Sequence, residues 1–187
     1  MSYAAVLLCG GRSTRMGRDK ALFEWHGQPL WALQIEKLGT LAPVRLLLSC
    51  REEQGIRHPA AECVYDPPGS DDGPLGAITR CLELVQMPLL VLAVDMPWMT
   101  ADFLRERVLP GGFFRGEHGW EALCAVYEPR MLPVMQKALH QRHLALQPVI
   151  DACSPLAREM ASEDRAFFRN ANHPDDLAVP FLKPPMR

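Results

Sequence analysis

Residues 4–8, AAVLL, form an unbroken apolar run that ends two residues short of the adjacent glycines Gly10 and Gly11. So short a run, stopped by a glycine turn, suits a strand buried on both faces. Buried parallel strands need helices on either side, so this start commits the rest of the chain to alternating short apolar strands with amphipathic helices. Pro29 opens such a helix, with Leu30, Trp31, Leu33, Ile35 and Leu38 recurring at helical spacing. Residues 44–50 read as a second strand and 63–65 as a short third. The loop DPPGSDDGPLG then leads into a helix carrying Leu75, Ile78, Leu82 and Val85. Residues 89–94 are the next strand, and Thr100 is a natural N-cap for a helix closed by Pro110, Gly111 and Gly112. Further on, the pattern predicts a strand at 122–127, helices at 131–143 and 146–152, and a strand at 166–168. The expected architecture is α/β in three layers, α/β/α, around a mixed, mostly parallel sheet. At 187 residues the chain is expected to form one domain over 1–187, with an irregular tail from about 179.

A net charge of −2 offers no general field for gripping a nucleic-acid backbone, so an anionic ligand has to be held locally. Cysteines 9, 50, 63, 81, 124 and 153 show neither a C-x-x-C pair nor zinc-like spacing, and reduced buried thiols are expected. The first residues lack the basic region of a leader, and no apolar stretch approaches the ~20 residues of a membrane span. The expectation is a cytoplasmic monomer that binds neither nucleic acid nor membrane.

Gly10 and Gly11 let the backbone turn sharply and bring its N–H groups close to an anion such as phosphate. The spacing is neither G-x-G-x-x-G nor a P-loop, which disfavours dinucleotide binding and a Walker-type ATPase. What remains is G-G-x-S-x-R-M-G-x-D-K, made of Gly10, Gly11, Ser13, Arg15, Met16, Gly17, Asp19 and Lys20. With the later stretches DPPGSDDGPLGAI, VDMPWM and NANHPDDL in the same order, the chain resembles the nucleotidyltransferases of the molybdenum-cofactor pathway, the guanylyltransferases above all. Cys9 replaces that signature's usual alanine, and the likeness covers most of the chain.

The resemblance implies a Rossmann-like nucleotidyltransferase fold that transfers GMP from GTP to molybdenum-molybdopterin with Mg2+ and releases pyrophosphate. Arg15 and Lys20 would then neutralise the triphosphate, a guanidinium as a fork and an ammonium as a point charge. Asp95 ends the apolar strand LLVLAVD, where open α/β sheets place their ligand crevice, and the resemblance makes it the magnesium aspartate. Leu8, Cys9, Gly10, Gly11, Ser13 and Asp66 complete the implied nucleotide site. Ser49 stands where guanine-specific members carry a base-reading asparagine. Gly73, Pro74, Leu75, Asn170 and Asn172 match acceptor-side motifs, although the loop reads G-P-L-G-A here in place of G-P-L-x-G. Asp71 and Asp72 read as turn carboxylates, His140 and His143 as exposed helix residues, and the four tryptophans as packing residues. Glu121 stands where relatives carry glutamine or a histidine-proline pair. The resemblance also implies transient contact with the molybdenum-insertion enzyme and apo-molybdoenzymes. Other readings stay open: cytidylyl transfer to the same cofactor, another acceptor, a sugar-phosphate nucleotidyltransferase, or a delivery module without turnover.

Overall fold

The computed structural model describes residues 2–10 and 19–178. Gly11, Ser13, Arg15, Met16 and Gly17 of the glycine segment, and the tail from 179 onward, lie outside the described residues. In chain order, β1 (Ala4–Leu8) leads to the glycine segment, and a small hairpin of β2 (Glu24–Trp25) and β3 (Gln28–Pro29) precedes α1 (Leu30–Gly39). Then come β4 (Arg45–Cys50), β5 (Glu62–Tyr65), α2 (Gly73–Val85), β6 (Leu89–Ala93) and α3 (Ala101–Phe103), which continues as a wider π turn over Leu104–Val108. The last elements are β7 (Phe113–Gly116), β8 (Gly119–Trp120), β9 (Cys124–Tyr127), α4 (Leu132–His140), α5 (Leu146–Cys153) and β10 (Ala157–Glu159).

The central sheet runs β5-β4-β1-β6-β9, parallel except for β9, which pairs antiparallel with β6. Leu8 stands in register with Ser49 on one side and Ala93 on the other, so the C-terminal ends of β4, β1 and β6 lie level. Every residue of β1 is buried, and alternate side chains enter opposite core layers: Ala5 and Leu7 pack on the α1 and α3 side, Ala4, Val6 and Leu8 on the α2, α4 and α5 side. This is the mixed α/β/α arrangement that the apolar pattern predicts. Among the described residues no helix is long and apolar enough to cross a membrane, and all six cysteines are free.

The structure departs from the sequence reading in the second half. Residues 166–168 are no strand: Asp164–Ala166 form a 3-10 turn, and Phe167 and Phe168 insert into the core. Phe167 stacks on Phe103 with ring centroids 4.4 Å apart, and Phe168 packs on Phe114 at 5.3 Å. Aromatic burial there comes from tertiary packing and not from strand pairing. A second sheet of order β10-β7-β8 was not expected, since its strands are two to four residues long and punctuated by glycines. Thr100 does cap its helix, accepting from Phe103 N–H at 3.2 Å.

Candidate active site

The C-terminal ends of β5, β4, β1 and β6 open into a cavity of about 960 Å3, at the edge where ligands bind in open α/β sheets. Leu8, Cys9, Gly10, Lys20, Ser49, Asp66, Gly73, Pro74 and Asp95 all line it. Local structure explains their positions.

Cys9 and Gly10 both donate their N–H to Ser49 O, at 2.8 and 3.2 Å, which carries the β1 end over β4. A Cβ on Gly10 would sit 2.8 Å from Asp66 Oδ2, so a side chain there would displace Asp66. Past the glycine segment, Asp19 caps the 3-10 turn Lys20–Leu22 by accepting from Ala21 N–H at 3.0 Å. Gln54 donates to Asp19 Oδ2 at 2.6 Å and to Cys9 O at 3.0 Å, and Arg51 pairs with Asp19 at 3.2 Å. The two flanks of the glycine segment are thereby tied together. Burial pushes the Cys9 thiol well above its ordinary pKa, so it is a neutral group beside the loop.

Lys20 Nζ donates to Asp95 Oδ2 at 3.1 Å and to Asn172 Oδ1 at 2.5 Å. Three residues from three distant stretches of sequence therefore meet at one end of the cavity. Asp95 follows β6 in a segment fixed from several directions. Val94 N–H bonds Leu8 O at 3.1 Å, and Ala171 N–H bonds Asp95 O at 2.7 Å. From α1, Gln34 Nε2 donates to Met96 O at 2.9 Å and Val94 O at 3.3 Å. Lys37 Nζ donates to Pro97 O at 3.1 Å and also to Gln34 Oε1. Gln34 is 1% exposed, and burial lowers the Lys37 pKa to about 8. Neither residue figured in the sequence reading; a glutamine on the apolar face of α1 was the available signal.

Asn172 is presented by a turn that Asp176 closes, its Oδ2 accepting from Asn172 N–H and His173 N–H, each at 2.8 Å. Those two backbone bonds hold the Asp176 carboxyl below its usual pKa. The capping residue of NANHPDD is therefore Asp176, which leaves the Asn172 amide to Lys20. Asn170 is exposed and does not line the cavity.

The opposite end is built on α2. Asp66 forms an ion pair with Arg80, whose Nη1 also lies 3.9 Å from Asp72 Oδ2. Asp72, Gly76 and Arg80 fall on one helix face, and a Cβ on Gly76 would come within 2.4 Å of Asp72 Cβ and 3.1 Å of Arg80 Nη1. Asp71 and Asp72 both pair with Arg142, which matches their reading as loop carboxylates. Leu75 is wholly buried among Ile78, Cys81 and Leu82, so its side chain faces the core and not the cavity. Ser49 is 1% exposed, and its hydroxyl has no hydrogen-bond partner among the described residues. Glu121 lies outside the cavity lining, and burial raises its pKa.

Six carboxylates (Asp19, Glu52, Glu53, Asp66, Asp71, Asp95) and three cations (Lys20, Arg51, Arg80) stand among the described lining residues. Among the described residues no three His, Cys, Asp or Glu converge as a metal cage. Asp95 offers a carboxylate oxygen beside Lys20, with the Asn172 amide oxygen next to it, a donor set that fits a magnesium ion bound chiefly through phosphate and water.

Comparison with known proteins places this geometry in context. Residues 5–170 match the MobA-like NTP transferase domain. The chain is 30% identical over 186 residues to the molybdenum cofactor guanylyltransferase of Ectopseudomonas mendocina (strain ymp), covering 96% of this chain and 92% of that one. It is 28% identical over 189 residues to a probable molybdenum cofactor guanylyltransferase of Trichormus variabilis, covering 94% and 88%. Among solved structures, it superposes on molybdopterin-guanine dinucleotide biosynthesis protein A from Archaeoglobus fulgidus with a TM-score of 0.73, at 21% identity over 94% of this chain and 95% of that one. The 2-C-methyl-D-erythritol 4-phosphate cytidylyltransferase of Thermus thermophilus gives 0.63, at 15% identity over 92% and 94%. The two structural likenesses speak to the fold.

Proposed function

Since the chain belongs to the MobA-like NTP transferase family and is a nucleotidyltransferase, we propose that it transfers GMP from GTP to molybdenum-molybdopterin in a magnesium-dependent reaction in the cytoplasm. A phosphate oxygen of molybdopterin attacks the α-phosphorus of GTP, the bond from that phosphorus to the β-phosphate oxygen breaks, and pyrophosphate leaves. The observation that carries this reading is the meeting of Lys20, Asp95 and Asn172 at one end of the cavity. Lys20 places a compact positive charge where the phosphates lie and stabilises charge that builds on the leaving group. Arg15, in the glycine segment, is assigned to the same triphosphate. The backbone at the β1 end can come close to the nucleotide because Gly10 carries no side chain. Magnesium, held through Asp95, supplies a hard cation that offsets the phosphate charge. Such an offset is needed because the triphosphate itself carries several negative charges.

Asn172 acts as a positioning residue: its amide oxygen fixes the Lys20 ammonium, and its nitrogen can donate to the acceptor. Gly73 and Pro74, the first residues of α2, line the cavity and are assigned to acceptor contact. The test is an anaerobic incubation of the protein with GTP, Mg2+ and molybdenum-molybdopterin, with mass analysis of the pterin product. A mass gain of one GMP supports the reading. An unmodified pterin, or modification by CTP in preference to GTP, contradicts it.

A further inference from the structure

The cavity has two charged ends, and only one of them is explained by phosphate chemistry. Asp95 follows β6 and Asp66 follows β5, three strand intervals apart in the order β5-β4-β1-β6. At about 4.8 Å per interval the two strand ends stand roughly 14 Å apart, about the reach of a nucleotide from its phosphates to its base. With phosphates and metal at Lys20 and Asp95, the base falls toward β4, β5 and α2, against Leu8, Ser49, Ala77, Asp66 and Arg80. Ser49 lines this part of the cavity too, but a single hydroxyl, 1% exposed, cannot donate to two adjacent acceptors. Arg80 is the cation that α2 brings to this wall, with a side chain 23% exposed, while Arg51 at the β4 end is paired with Asp19 and Glu53.

We propose that Arg80 reads the nucleotide base, its guanidinium fork donating to O6 and N7 of guanine, and that Asp66 and Asp72 hold it in that pose. This inference rests on the reading that the cavity takes GTP. Each terminal nitrogen carries two hydrogens. Asp66 accepts from Nη2, and Asp72 faces Nη1 only at 3.9 Å, which leaves hydrogens on both for a ligand. A rigid fork matches two adjacent acceptors, and guanine alone among the four bases presents O6 beside N7. Adenine puts an amino group where O6 would be, setting donor against donor, and pyrimidines lack the N7 edge. Gly76 contributes indirectly, because a Cβ there would crowd both Asp72 and Arg80.

The test is equilibrium binding by calorimetry at fixed Mg2+, using GTP, 7-deaza-GTP and ATP with the wild-type chain, Arg80→Ala and Arg80→Lys. Wild type is expected to bind GTP more tightly than 7-deaza-GTP, and both more tightly than ATP. Arg80→Ala is expected to lose roughly 5–150-fold for GTP, the worth of a bidentate base contact, with little change for ATP. Arg80→Lys, which keeps the charge and loses the fork, should resemble Arg80→Ala in discrimination. Equal binding of GTP and 7-deaza-GTP by the wild type overturns the proposal without recourse to any variant. An equal loss for GTP and ATP in Arg80→Ala overturns it too, and assigns the charge to phosphate. Tight GTP binding with either result leaves the GTP reading standing, whereas failure of the wild type to bind GTP overturns both.

Discussion

At one end of the cavity Lys20, Asp95 and Asn172 meet although Lys20 and Asn172 lie 152 positions apart; at the other, Asp66 and Arg80 are separated by 14 and joined through α2. The first end is a tertiary assembly: Asp95 depends on Leu8, Gln34, Lys37 and Ala171 to fix the backbone on which it stands. The second is local, since Asp72, Gly76 and Arg80 share one helix face and need only a glycine to pack together. On the proposed reading, chemistry that requires several groups in fixed relation falls to the interlocked end, and recognition of a single base edge to the self-contained one. Substitutions far from substrate should therefore disturb turnover through the first end, and change selectivity with modest loss of stability through the second.

The largest expected effect tests the interlocked end directly. Lys20→Ala should lower turnover by roughly 10²–10³-fold at saturating GTP, by analogy with removing one preorganised donor to developing charge. A pyrophosphate-release assay measures this, and turnover near the wild-type value would assign Lys20 a structural role.

Next in size is a pH effect from Lys37, beneath the Asp95 segment. Its pKa falls from 10.5 in the unfolded chain to about 8 in the folded one, a difference on the order of 3 kcal/mol. Between those values the unfolded chain keeps a proton that the native one has shed, so this residue makes stability rise with pH from about 8 to 10.5. Buried thiols act in the opposite sense. Burial raises Cys50 and Cys81 from 9.0 to about 12, so above about pH 9 the unfolded chain loses those protons first and stability falls. Comparison of wild type with Lys37→Met cancels the thiols. Urea unfolding at about pH 7.5 and about pH 10 should show the wild type gaining on the variant, and a constant difference would contradict a half-buried, neutralisable Lys37.

Gln34→Leu should cost about 1–3 kcal/mol, because the carbonyls of Val94 and Met96 lose their amide partner in a buried setting. The same variant should raise the Mg2+ concentration needed for half-maximal turnover, which a metal titration reads. The smallest effect belongs to Arg142, whose pairs with Asp71 and Asp72 lie at the exposed rim. Arg142→Ala should leave the melting temperature and turnover at their wild-type values. A clear loss of either would show that the α2 end is less self-contained than its geometry indicates.

Legibility in the sequence follows the same division. Asp95 could be picked out because a buried parallel strand has to end in the ligand crevice, and Lys20 and Asn172 because they sit in contiguous motifs that carry the family resemblance, although the same motif also pointed to Asn170, which does not line the cavity. Their supports could not. Gln34, Lys37, Gln54 and Arg80 act across elements, and the facing of a helical polar residue depends on packing angles that periodicity does not encode. Leu75 shows the same limit from the other side: its motif points to the site, yet its helical phase sends the side chain into the core. Which strand of the mixed sheet runs antiparallel, and the small β10-β7-β8 sheet, were also beyond reach. A strand of two to four residues carries too little alternation to separate it from a loop, and Phe167 and Phe168 mimic a strand while filling space beside Phe103 and Phe114.

The most direct test of the central claim is single-turnover pyrophosphate release from GTP and Mg2+, with and without molybdenum-molybdopterin, for the wild type and Lys20→Ala. Release that requires the acceptor and drops at least about a hundredfold in the variant is the predicted result. Acceptor-independent release, or equal rates for the two proteins, would contradict the assignment of guanylyl transfer to the Lys20 and Asp95 end of the cavity.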